Sequence, residues 1–72
     1  MKDARTPNLQ LKDARAQRGW SQADLAERVG TSNVSISRWE SGSHFPSPHF
    51  RQRLSSIFEM TTLELGLYQS VR

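Results

Sequence analysis

Apolar positions recur along the chain at helical spacing, and glycines interrupt them. Leu11 and Ala14 lie three apart with Leu9 beside them. Ala23, Leu25, Ala26 and Val29 form a second set, and Ile36 and Trp39 a third. Phe50, Leu54, Ile57 and Phe58 follow at offsets of four, three and one. Gly19, Gly30 and Gly42 separate the sets at intervals of eleven and twelve residues. Segments of that length are too long for typical strands. No apolar–polar alternation of the kind a half-buried strand needs occurs anywhere.

The pattern predicts an all-α, compact domain of five short helices. The first runs from about Asn8, as cap, to Arg18 near the negative end of the helix dipole. The second spans 21–29. Ser21 caps it, and Asp24, three residues on, is placed to return the bond as in a capping box. The third begins with Thr31 or Ser32 as cap and ends near Ser41. Pro46 and Pro48 forbid a helix across 43–48, so that segment is a loop. The fourth extends from Pro48 or His49 to Glu59. A fifth is expected from Thr62 as cap, with Leu63, Leu67 and Tyr68 inward and Leu65 between faces.

Composition narrows the function classes. With 72 residues there is one small domain. Its expected limits are 8–69, with a flexible arm at 1–7 and a tail at 70–72. The chain has no cysteine and only two histidines, His44 and His49, so no disulfide framework, metal site or cofactor is expected. No apolar run suits a membrane span and the N-terminus is polar, so a cytoplasmic protein without membrane contact is expected. Ten basic against seven acidic residues give a net charge of +3, a lean toward polyanions. Lys2, Arg5, Lys12, Arg15 and Arg18 against Asp3 and Asp13 place that excess in residues 1–18. No nucleophile motif, glycine-rich phosphate loop or acid–base pair is present, which argues against an enzyme and against a small-molecule substrate.

The second and third helices carry the functional signal. Two or three residues containing a glycine join them, which suits a helix-turn-helix with the second member held across the first. That geometry needs a small residue at the crossing, supplied by Ala26. It needs a residue tolerant of positive φ in the turn, supplied by Gly30. It also needs apolar residues pinning the second helix from behind, supplied by Ile36 and Trp39, with Leu25 and Val29 as their seat.

The run from Ser21 to Gly42, SQADLAERVGTSNVSISRWESG, resembles the Cro/CI-type helix-turn-helix of phage repressors and the wider XRE-like regulator family. Arg15 to Trp20 is similar to the basic end of that family's first helix, and Pro46, Leu54, Phe58 and Leu63 match its later helices. The resemblance covers about Leu9 to Tyr68. It implies a five-helix, lambda-repressor-like, DNA-binding domain whose third helix enters the major groove. It also implies an ion pair between Arg15 and Glu40, linking the first helix to the third. Departures exist: Thr31 stands where a hydrophobic residue is common, and the fourth helix opens as Ser47-Pro48-His49-Phe50 rather than with an acidic, Leu-rich turn. That variant looks like XRE-type domains at the N-terminus of larger bacterial proteins.

Residue chemistry assigns roles within this frame. Arg38 has the planar fork that matches guanine O6 and N7, Asn33 can pair with adenine, Val34 can touch a thymine methyl, and Ser37 can reach a base. These four are the expected base contacts. Gln22, at the start of the second helix, and Ser21 beside it suit a phosphate oxygen. Ser32, Ser35, His44 and Arg51 complete the expected phosphate contacts, whereas Arg53 is read as part of a solvated helix face. The segment Ser43-His44-Phe45 brings no fixed positive charge. Trp39 is expected in the core and Trp20 over the seam of the second helix. The expected partner is double-stranded DNA, with a possible homodimer formed on DNA or through residues outside this chain. The competing reading is a protein-interaction adaptor built on the same scaffold.

Overall fold

The computed structural model describes residues 8–67, and the expected arm, Tyr68 and the tail lie outside them. Four helices follow one another: α1 Leu9–Gln17, α2 Gln22–Val29, α3 Asn33–Ser41 and α4 Pro48–Phe58. Among the described residues there is no strand.

Local chemistry sets each helix start. The Asn8 side chain accepts from the Leu11 N–H at 3.0 Å. Ser21 and Asp24 close a reciprocal capping box: Ser21 Oγ accepts from the Asp24 N–H at 3.0 Å, and Asp24 Oδ2 from the Ser21 N–H at 3.0 Å. The Ser21 N–H donated to the Asp24 carboxylate, with the Ser21 hydroxyl assisting, holds that carboxyl below its usual range. Ser32, rather than Thr31, caps α3. Pro48 occupies the first turn of α4, where its missing N–H leaves no intrahelical bond unmade. Gly30 ends α2 at φ 89, and apart from the adjoining chain no atom lies within 4 Å of where its Cβ would sit. The demand for glycine there is therefore conformational, and the left-handed residue turns the chain into α3.

α2 packs most extensively on α3 and next on α4, while α1 leans on α3. Leu11, Leu25, Ile36, Leu54 and Leu65 are fully buried at the centre, with Val29, Phe58 and Leu67 nearly so. Trp39 is buried and stacks on Phe50 at 5.4 Å between centroids, as a core tryptophan would. Trp20 is half-buried, with Phe58 on one side at 5.5 Å and the Arg28 guanidinium 4.4 Å from its centroid.

The expected fifth helix does not form over the described residues. Residues 62–66 make turns instead, and Thr61, not Thr62, is the cap: its Oγ1 accepts from the Glu64 N–H at 3.0 Å and its N–H donates to Glu64 Oε1 at 2.8 Å. Gly66, at φ 71, stops the segment after one turn, too short to repay helix nucleation. A Cβ at Gly66 would fall 2.7 Å from Asn8 Oδ1 and 2.9 Å from Gln10 Oε1, so the start of α1 lies directly against it. Asn8 Nδ2 donates to the Leu65 carbonyl at 3.0 Å and Gln10 Nε2 to that of Glu64 at 3.2 Å, clasping the segment to α1.

Without helical periodicity, inward positions change. Leu65 and Leu67 are buried and Leu63 is exposed, reversing the expectation for Leu63 and Leu65. Ala23, expected on the apolar face of the second helix, and Leu9, expected beside that of the first, are also exposed, each near the start of its helix.

Candidate nucleic-acid interface

The back of α3 is fixed by three residues. Ile36 and Trp39 pack into the core beside Ala26, and Glu40, 6% exposed, faces α1. Arg15 Nε donates to Glu40 Oε2 at 2.6 Å and Nη2 to Oε1 at 3.1 Å, the bidentate fork that guanidinium and carboxylate geometries share. Arg15 Nη1 donates to the Trp20 carbonyl at 2.9 Å, so the α1–α2 connection is tied in as well. The hydrogen bond to Glu40 holds the Arg15 proton more tightly than usual; burial opposes this and the nearby carboxylate charge assists it.

Gln22 joins this network. Its Nε2 donates to Glu40 Oε1 at 3.1 Å, and the side chain is half-buried. One amide proton is thereby committed inside the fold. Ser21 Oγ is engaged in the α2 cap, and Ser32 Oγ accepts from the Ser35 N–H at 3.3 Å with the two hydroxyls 3.4 Å apart.

The opposite face of α3 is open. Asn33, Val34, Ser37 and Arg38 are exposed, at spacings that place them along one side of the helix, and Val34 is 52% exposed. Among the described residues the Asn33, Ser37 and Arg38 side chains have no hydrogen-bond or ion-pair partner. A short polar surface with one free guanidinium stands on a helix whose back cannot shift without breaking Glu40 from α1.

The loop after α3 turns on the Arg38 carbonyl, which accepts from the Ser43 N–H at 3.1 Å and the His44 N–H at 3.3 Å. His44 is exposed. Arg51 reaches back from α4: its Nη1 donates to the Pro46 carbonyl at 2.8 Å, and its guanidinium lies 5.1 Å from the Phe45 centroid. A positive charge thus sits against the loop that its own sequence lacks. No carboxylate occurs between Glu40 and Glu59.

Several arginines have structural roles that sequence patterns did not reveal. Arg53 is not merely solvated: its Nε donates to the Val29 carbonyl at 2.8 Å and Nη2 to that of Arg28 at 3.2 Å, closing the C-terminus of α2. Arg18 Nη2 does the same for the Phe58 carbonyl of α4 at 2.7 Å. Both link residues more than 20 positions apart, beyond the reach of any local pattern.

Two short helices packed on each other and joined by a turn at Gly30, with an open polar face on the second, define a helix-turn-helix domain. A helix-turn-helix family model matches residues 11–65, and the chain belongs to that family, the XRE-like DNA-binding domains its motif resembles. It is similar to the HTH-type transcriptional activator BcrR of Enterococcus faecalis, with 34% identity over 58 residues. That match takes in 81% of this chain and 28% of the relative, so the chain spans under a third of that relative's length. Among the described residues no helix is long and apolar enough to cross a membrane.

Proposed function

We propose that this domain binds double-stranded DNA sequence-specifically, with α3 in the major groove, as the DNA-reading part of a transcription regulator. The observation that carries the proposal is the contrast between the two sides of α3. One side is locked by Ile36, Trp39 and Glu40, and the other offers Asn33, Val34, Ser37 and Arg38 without described intramolecular partners. Arg38 takes a guanine edge, Asn33 an adenine and Val34 a thymine methyl, while Ser37 adapts to either base of a pair. Phosphates are met by the start of α2 at Ser21 and Gln22, by Ser32 and Ser35, and by His44 and Arg51 at the loop. The second amide proton of Gln22 is the one available to a phosphate, with Glu40 holding the first. Two copies on half-sites about 34–36 Å apart supply the affinity one copy lacks. Similarity to a transcriptional activator supports the regulatory role.

The test is selection of preferred duplexes from a randomised pool, followed by fluorescence anisotropy across a salt series. Arg38→Ala is expected to weaken binding about 5- to 150-fold and to relax preference at one position, the range for losing a bidentate base contact. Affinity should fall with salt by about 0.9 log units per log unit for each phosphate neutralised. Absence of any duplex binding at low salt refutes the proposal.

A further inference from the structure

We infer that Phe45 is an additional specificity residue, reading the C5-methyl group of a thymine at the edge of the bound site. The inference rests on the DNA-binding function proposed above. Four large hydrophobic side chains are exposed among the described residues: Leu9, Val34, Phe45 and Leu63. Two of them, Val34 and Phe45, lie on α3 and on the loop that leaves it.

Phe45 is held in place although it is 39% exposed. Arg51 stacks on it at 5.1 Å, Arg51 is itself tied to the Pro46 carbonyl at 2.8 Å, and Pro46 is buried. Between this loop and the C-terminal half of α3 runs an open groove of about 240 Å³. Phe45, Trp39, Pro46 and Phe50 give it an apolar floor, and Arg38 and His44 line it with them. No carboxylate lines it. An apolar surface with a cationic margin, beside the exposed arginine of α3, matches a DNA strand in charge. The apolar feature that DNA offers in its major groove is the thymine methyl, and phenylalanine is one of the side chains that contacts it.

The juxtaposition of Phe45 with Arg38 has a consequence for the sequence read. The thymine should neighbour the base pair contacted by Arg38, outside the pairs facing Asn33 and Val34. Arg51 acts as a positioning residue, since it stacks on the ring and braces the loop.

The experiment uses the full chain and the duplex selected from the randomised pool. Each thymine is replaced in turn by deoxyuridine, which removes only the methyl group. Wild type, Phe45→Ala and Phe45→Leu are compared by anisotropy, with circular dichroism melts as a folding control. In wild type, one deoxyuridine at the edge should weaken binding about four-fold, the effect of losing one buried methyl-sized group. Phe45→Ala should bind the thymine duplex correspondingly more weakly and lose its sensitivity to that single replacement. Phe45→Leu should retain part of it. If Phe45→Ala keeps the wild-type thymine-to-deoxyuridine ratio at every position while wild type binds the duplex, the Phe45 role is overturned and the DNA-binding function stands. If wild type binds no duplex at any salt concentration, both fall together.

Discussion

The Arg15–Glu40 pair offers the sharpest test of how α3 is held. Glu40 is 5% and Arg15 13% exposed at the side chain, so both ions are largely removed from water. Breaking such a pair by deleting one partner costs about 3–5 kcal/mol, mostly from the charge left behind. The two deletions are not equivalent. Arg15→Met strands a carboxylate with Gln22 as its remaining side-chain donor, so it should reach that full range. Glu40→Gln keeps the volume and leaves the more exposed guanidinium its bond to the Trp20 carbonyl, so about 2–3 kcal/mol is expected. At about 0.05–0.15 kcal/mol per residue, 72 residues hold roughly 4–11 kcal/mol in total, so either change removes a large share. Urea titration followed by far-UV circular dichroism and by the fluorescence of Trp20 and Trp39 measures both. Glu40→Gln should lower Tm by about 8–24 °C, at about 4–8 °C per kcal/mol for a domain this size. Because the pair is buried, the loss should persist at about 1 M salt, where exposed pairs are screened. The double variant Arg15→Met/Glu40→Gln completes the cycle and should recover about 2 kcal/mol relative to the sum of the singles. A coupling below about 0.5 kcal/mol, or an Arg15→Met cost below about 1 kcal/mol, would show that core packing alone seats α3.

Four further outcomes follow from the same geometry. The Asp24 carboxyl is held low in the folded state, so the unfolded chain binds its proton first as pH falls; stability should drop below the ordinary carboxylate range near about pH 4, and Asp24→Asn should flatten that part of the pH–stability curve. Ser21→Ala, which removes the other half of the box, should cost about 1 kcal/mol in a urea melt. Gly66→Ala should be more damaging than Gly30→Ala: both carry the left-handed penalty of about 1–2 kcal/mol, but only at Gly66 must the new Cβ also displace the Asn8 oxygen that caps α1. Equal melting temperatures for the two glycine variants would refute the clasp between α1 and residues 64–66. Arg53→Met should cost about 1 kcal/mol by opening the α2 C-terminus, with amide exchange accelerating at the last turn of α2 rather than across the domain.

What the sequence made legible is what neighbouring residues decide. Ser21 and Asp24 are three apart, and their reciprocal bonds need nothing from elsewhere in the chain. Gly30 is required by its own φ, and Ile36 with Trp39 by the period of a helix already begun. The fifth helix failed as an expectation for the complementary reason. Leu63 and Leu67 fit a helical period, yet Gly66 must lie flat against Asn8 and Gln10, more than 50 residues away, and a turn satisfies that approach where a longer helix would not. The same distinction governs the arginines. Counted along the chain they suggest a basic surface, but Arg15 is engaged by Glu40 and Trp20, Arg18 by Phe58, Arg28 by Trp20 and the Asp24 carbonyl, and Arg53 by the end of α2. Most of the guanidinium groups in the described residues therefore brace helix ends and seams. Arg38 differs because the back of its helix is already satisfied by Ile36, Trp39 and Glu40, and among the described residues its side chain has no hydrogen-bond or ion-pair partner. Net charge could not separate it from the others; the turn that presents its helix outward does.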